Sequence, residues 1–226
     1  MNNSRKSVIT GIGIVSPAGS GRRAFWRTVK SGRSVLTPVT LFDTSRMRSH
    51  TAGEIGLFPG KRLLGSQGWR YLTRGMRFVL AAGCLAFEDA DFSYPLSAAG
   101  SDRFGVALGL STDSVHSFMT FDREVLAEGP RFVTPHLFPN ATPNSVAGMM
   151  SIRFNVRGFN TTISTASASG LDALAYADMM ISRYGYNGVL AGGMEELSYE
   201  MFLGQHILGC LSGSRRPGDI ECCRPY

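Results

Sequence analysis

The sequence predicts an α/β fold built on a mostly parallel or mixed sheet. Three observations carry this reading. Strand-like runs alternate with helical patterns along the whole chain, one β-branched run at 160–165 turns straight into an apolar helix, and 43% of the 226 residues are hydrophobic against 18% charged. Alternating strands and helices of this kind pack as layers, and the apolar fraction is ample for a core.

The elements follow in order. Ser7 to Val15 is rich in β-branched residues and ends at Ser16-Pro17, which predicts a strand running into a turn. Ala24, Phe25, Thr28 and Val29 recur at helical spacing before Ser31-Gly32, a C-terminal stop. Residues 36–60 carry Pro38 and Pro59 and predict loop, with a short strand near Ala52 to Ile55. A long helix is expected over about Tyr71 to Asp89, with Met76, Leu80, Ala81, Cys84, Leu85 and Phe87 on its apolar face. Arg103 to Leu108 is the next strand and Val115 to Leu126 the next helix. Pro130, Pro135, Pro139 and Pro143 punctuate a loop, and Ser145 to Phe154 is a shorter helix. After the strand from Asn160 to Thr165, a helix runs to about Tyr184. It is apolar on nearly every face, so it is expected to be buried on most sides. Asn187 to Gly193 closes the series as a short strand.

Composition narrows the function classes. No apolar run reaches the roughly 18 residues that span a bilayer, so no membrane association and a cytoplasmic setting are expected. Cys84, Cys210, Cys222 and Cys223 lack paired spacing, which argues against a disulfide framework or a zinc site. Neither a metal nor another cofactor is expected. The net charge of +6 comes almost wholly from arginines that look scattered in the linear sequence. No nucleic-acid motif accompanies them, so a solvated surface that also attracts acidic protein partners is the reading adopted.

Ser167 stands where the strand enters the helix. Backbone N–H groups in a first helical turn lack intrahelical partners, and the helix dipole adds partial positive charge, so an anion developing beside Ser167 would be stabilised. Serine stays protonated at neutral pH without a general base. The alternative is that Ser164, Ser167 or Ser169 simply caps the helix.

At this point the residues carry a family resemblance that runs the length of the chain. Val8-Ile9-Thr10-Gly11-Ile12-Gly13-Ile14-Val15-Ser16-Pro17, Phe25-Trp26, Ser31-Gly32-Arg33-Ser34, Phe42-Asp43-Thr44-Ser45-Arg46 and Ala52-Gly53-Glu54-Ile55 resemble the opening of a β-ketoacyl-acyl-carrier-protein synthase. Pro143 to Gly148 and Ile152-Arg153-Phe154 resemble the segment before its active site. Thr165-Ala166-Ser167-Ala168-Ser169-Gly170 sits where the family writes T-A-C-x-S-G, Leu190 to Glu195 resembles its A-G-G-x-E strand, and Arg224-Pro225-Tyr226 the start of its R-P-F-D segment.

The resemblance implies the N-terminal half of a thiolase-like fold, spanning residues 1–226 as one domain: a mixed five-stranded sheet with helices on both faces. It implies Ser167 at the nucleophile position, and Thr112 and Leu137 where relatives line the acyl pocket, although Leu137 suits core packing equally well. It also implies an acyl-carrier protein as partner, and a homodimer or a heterodimer with a ketosynthase-like chain in which Thr161 to Thr165 lies at the interface. Three departures accompany it. Serine replaces the catalytic cysteine, and the family continues for about as long again, with two histidines and a lysine that have no counterpart among His50, His116, His136 and His206. The turn Leu110-Ser111-Thr112-Asp113-Ser114 stands where relatives have glycines, and Phe159 replaces a proline.

The function expected is therefore a synthase of fatty-acid or polyketide assembly that condenses acyl and malonyl thioesters by decarboxylation, with the chain alone inactive for condensation. The alternatives are a non-catalytic chain-length-factor-like partner or degenerate fragment and, behind it, a serine hydrolase or acyltransferase. In the family the second half covers the helix after Ser167, so without it this chain is not expected to be a stable monomer.

Overall fold

The computed structural model describes residues 6–213, other than 57, 67, 113 and 136, together with Cys223. Arg224 to Tyr226, His136 and Cys222 thus lie outside the described residues. In chain order the elements are β1 (Val15–Ser16), β2 (Gly19–Ser20), α1 (Arg22–Ser31), β3 (Thr37–Pro38), β4 (Thr51–Ala52), α2 (Gly60–Leu64) and α3 (Arg74–Asp89). There follow α4 (Ala98–Ser101), β5 (Phe104–Gly109), α5 (Ser114–Glu128), α6 (Leu137–Asn140), α7 (Ser145–Phe154), β6 (Asn160–Ile163), α8 (Ser169–Ser182), β7 (Gly188–Gly193) and α9 (Tyr199–Ile207). Among the described residues no helix is long and apolar enough to cross a membrane.

Two compact units result. The larger holds residues 6–13 and 60–196. At its centre β5 pairs in parallel with β6 on one side and β7 on the other. Because side chains alternate between faces along a strand, burial of every residue from Gly105 to Gly109 means that both faces of the sheet are covered. Helix α8 lies across all three strands, while α7, backed by α3, packs on β5 and β6. The core under α7 is aromatic: Phe154 is fully buried, its ring 5.1 Å from that of Phe87 and 5.6 Å from that of Tyr94. Burial also raises the pKa of the Cys84 thiol, which lies in the same core.

The α/β class holds, with helices on both faces of the sheet, but the main sheet has three parallel strands among the described residues where five in a mixed sheet were expected. The N-terminal run accounts for one of the missing strands. Residues 6–14 join no ladder. A methyl group at Gly11 or Gly13 would collide with the carbonyls of Ala86 or Ala82 on α3, so the glycines serve close approach to a helix. The Ile12 N–H donates to the Asp89 carboxylate at 3.0 Å instead of to a neighbouring strand.

Helix α8 departs from expectation too. It is buried only at Ser169, Ala173, Ala177 and Met180, a single stripe at helical spacing that faces the sheet, whereas Leu171 is 72% and Leu174 45% exposed.

The smaller unit holds residues 14–59 and 197–213. Two short antiparallel pairs, β1 with β2 and β3 with β4, frame α1. Helix α9, which the sequence reading did not anticipate, is capped by the Ser198 hydroxyl accepting from the Met201 N–H at 3.2 Å. Its Tyr199 and Phe202 rings close on Phe42 at 5.9 and 5.5 Å.

Candidate active site

Parallel sheets present their functional groups at the carboxyl ends of the strands, and here β5, β6 and β7 all end at one edge. Ser167 follows β6 in a short 3₁₀ turn, Ala166–Ala168, that leads directly into α8. The turn is bent by Ala166, whose φ of 55° lies in the left-handed region. Two ties hold it. The Ser169 hydroxyl accepts from the Thr165 N–H at 2.9 Å and donates to the Ala166 carbonyl at 2.6 Å, and the Thr165 hydroxyl donates to Asp172. The capping alternative raised by the sequence is thereby resolved for the side chains: Ser169 stitches the junction, and the exposed Ser167 hydroxyl is not part of it. The Ser167 N–H falls in the 3₁₀ turn just ahead of α8, where α-helical geometry provides no partner. Asp172 places a carboxylate in the first turn of α8 and reduces the net positive potential at that end.

Thr112 stands on the turn after β5. Its N–H donates to both carboxylate oxygens of Glu195, at 3.1 and 3.2 Å, and its hydroxyl to one of them at 2.7 Å. Glu195 follows β7, so one carboxylate ties two strand ends together. The close fit of β5, β7 and α8 relies on glycines. A Cβ on Gly109 would overlap the Ser169 carbonyl, and one on Gly193 would come within 3.0 Å of the Gly170 Cα. Ser167 and Thr112 therefore share the sheet edge. Leu137 does not rise from a strand end: it is half-buried on α6, which packs against α5 and α7. Sequence reading quoted Glu195 only as part of a motif and missed its tie to Thr112, 83 residues away.

Glu196 is turned inward. Its carboxylate accepts the Gly75 N–H at 2.7 Å and lies 3.9 Å from Arg74 at the start of α3. Burial raises its pKa, and the Gly75 N–H and Arg74 offset this only in part. A carboxyl whose folded pKa is raised stabilises most below its ordinary value of about 4.3 and progressively less as pH climbs through the folded value. Glu196→Gln keeps an acceptor for Gly75 and removes the ionisation. The variant's melting temperature relative to wild type is therefore expected to rise between pH 4 and pH 7, and a constant difference would show that burial does not perturb Glu196.

Among the described histidines, His116 stands in the first turn of α5, close after β5, and its charge acts on Glu196, whereas His50 and His206 lie in the smaller unit. The His50 Nδ1 pairs with the Thr44 hydroxyl at 3.2 Å, and the His206 Nδ1 accepts the Arg48 N–H at 3.2 Å, all within the smaller unit.

Known proteins share the family and the fold of this chain. The family model described as "Beta-ketoacyl synthase, N-terminal domain" matches residues 5–225. A 3-oxoacyl-[acyl-carrier-protein] synthase 2 from Coxiella burnetii is 30% identical over 222 residues, covering 98% of this chain and 53% of the relative. A crystal structure of a β-ketoacyl synthase from Burkholderia phymatum superposes with a TM-score of 0.81 at 27% identity, over 98% of this chain and 53% of that one. The ishigamide ketosynthase/chain length factor superposes with a TM-score of 0.83 at 23% identity, over 95% and 55% of the two chains. The chain spans about half the length of the curated relatives it matches. Its fold is thiolase-like, and the chain belongs to the β-ketoacyl synthase family.

Proposed function

We propose that the chain is a β-ketoacyl-acyl-carrier-protein synthase-like component of fatty-acid or polyketide biosynthesis, residues 1–226 forming the N-terminal domain, with Ser167 at the position that receives the acyl group. The observation that carries the proposal is the exposed Ser167 at the end of β6, on a strained turn opening α8. The acyl chain arrives as a thioester on the phosphopantetheine arm of an acyl-carrier protein in the cytoplasm. Attack by the Ser167 oxygen forms an oxygen ester and breaks the C–S bond, the thiol leaving with the proton. The Ser167 N–H, at the positive end of α8, donates to the oxyanion formed on the way. Thr112, held by Glu195, and Leu137 border the acyl chain in this reading. No general base contacts Ser167 among the described side-chain hydrogen bonds, so loading is slow and condensation is not expected from this chain alone.

That no base meets Ser167 among the described residues also fits a second reading, a non-catalytic partner in the manner of a chain length factor. Strand β6 supports either a homodimer or a heterodimer, because its outer edge pairs with no strand among the described residues and presents backbone donors and acceptors to another strand.

One experiment separates the readings. Wild type and Ser167→Cys are incubated with acyl-loaded carrier protein and the adduct at residue 167 is followed by intact mass. The expected result is acylation at least about 100-fold faster in the cysteine variant, the scale of a missing base. Equal rates would overturn the proposal. No adduct in either protein, with co-purification of a second ketosynthase-like chain, would establish the partner reading.

A further inference from the structure

The basic residues, scattered along most of the chain, are concentrated in one short stretch near its start. The first acidic residue of the chain is Asp43, and seven of the 23 lysines and arginines precede it, leaving 16 cations against 17 acids in the rest. The whole net positive charge thus resides in the first 42 residues, and five of those seven cations fall between Arg22 and Arg33, in or just beyond α1. Arg23, Trp26, Arg27 and Lys30 stand at i, i+3, i+4 and i+7, which places them on one helical face. The inner side of the helix is turned inward at Ala24, Phe25 and Thr28, with Ala24 packed on Gly19. The outer side is open: Trp26 is 56% exposed, and together with Arg23, Arg27, Lys30 and Ser31 it lines a shallow groove of about 420 Å³.

We propose that this face of α1 is a docking surface for an acidic protein partner, specifically for a helix bearing carboxylates at i, i+4 and i+7, with Trp26 as the apolar anchor between the ion pairs. Charge complementarity selects this occupant. Arg23, Arg27 and Lys30 spread over about 10 Å of helix, the same span as three such carboxylates on a facing helix. A lipid surface needs a broad apolar face, whereas α1 turns outward only Trp26 and Val29 among its apolar residues. A nucleic-acid module covers about 600–1,000 Å² or more, beyond what one helix about 15 Å long presents. Exposed aromatic and arginine side chains together are the usual anchors of protein interfaces. This surface is independent of the reading of Ser167 and would persist if that reading failed.

The test uses the whole chain carrying Trp69→Phe, which leaves Trp26 as the only tryptophan, and a synthetic alanine-based helical peptide with glutamates at i, i+4 and i+7 and a leucine between them. Saturable change of Trp26 fluorescence is expected, weakening as salt rises. Arg23→Glu, Arg27→Glu and Lys30→Glu together are expected to weaken it at least tenfold. Arg27→Gln alone, checked for unchanged circular dichroism, provides a milder variant expected to weaken it several-fold. Absence of saturation up to millimolar peptide, or equal affinity in the charge-reversed chain, would overturn the proposal. So would tighter binding, lost in the same variants, to phosphatidylglycerol-containing vesicles or to duplex DNA than to the peptide.

Discussion

Gly109→Ala is expected to destabilise the chain by about 3 kcal/mol, the upper end for an overpacked core. The added methyl would meet the Ser169 carbonyl carbon and oxygen and the Gly170 nitrogen. All three are backbone atoms in the first turn of α8, and none can rotate aside as a side-chain tip would. Either β5 or α8 must move, and the second choice displaces Ser167 from the end of β6. A control lies on α7, where a methyl at Gly148 would have no atom within 4 Å. Gly148→Ala replaces a poor helix former in open space and is expected to be neutral or stabilising by up to about 1 kcal/mol. Urea unfolding decides the matter, with a lowered midpoint and unchanged slope expected for Gly109→Ala. Equal midpoints for the two variants would mean that β5 and α8 do not touch at this point.

Purified alone, the 226-residue chain is expected to self-associate at low micromolar concentration. Leu171 and Leu174 stand outward on α8, and Val8 and Ile9 are 75% and 78% exposed at the start of the same unit. Covering one leucine side chain is worth about 1.5–3 kcal/mol, so burying two against another surface offsets much of the cost of association. Leu171→Lys with Leu174→Lys keeps the stripe of Ala173, Ala177 and Met180 that holds the helix on its sheet. The double variant is expected to dissociate at least tenfold more readily by sedimentation velocity. A wild-type chain that sediments as a monomer and melts cooperatively would refute the expectation.

Particular residues show what the sequence could and could not reveal. Helix α7 was legible to the residue, because Asn144-Ser145 opens and Asn155 ends a clean helical run. Strands β5, β6 and β7 were legible within a residue or two, β5 and β7 as short apolar runs with glycine and β6 as the β-branched run Thr161-Thr162-Ile163. The strand expected at residues 7–15 failed because Gly11 and Gly13 answer to α3, a partner distant in sequence. Helix α9 had a signal that went unread, Ser198 followed by Glu200 in the first turn. For α8, hydrophobicity on nearly every face predicts burial on most sides, whereas small residues at 173 and 177 mark the one side that meets the sheet. At the site, the position of Ser167 was visible as a pattern, but the clamp of Glu195 on Thr112 is purely tertiary and left no local trace.

The bend at Ala166 has a consequence for what residue 167 is free to be. An alanine in the left-handed region costs about 1–2 kcal/mol, and that cost is met by Ser169, Thr165 and Asp172, none of which leans on the side chain at 167. The shape of the junction is thus written by its neighbours, while residue 167 is a passenger in the turn. Hydroxyl, thiol or methyl can occupy the position with almost the same folding free energy. With Ser167 as the proposed acyl acceptor, exchange there is a one-step change of reactivity on an unchanged scaffold, which the fold does not register.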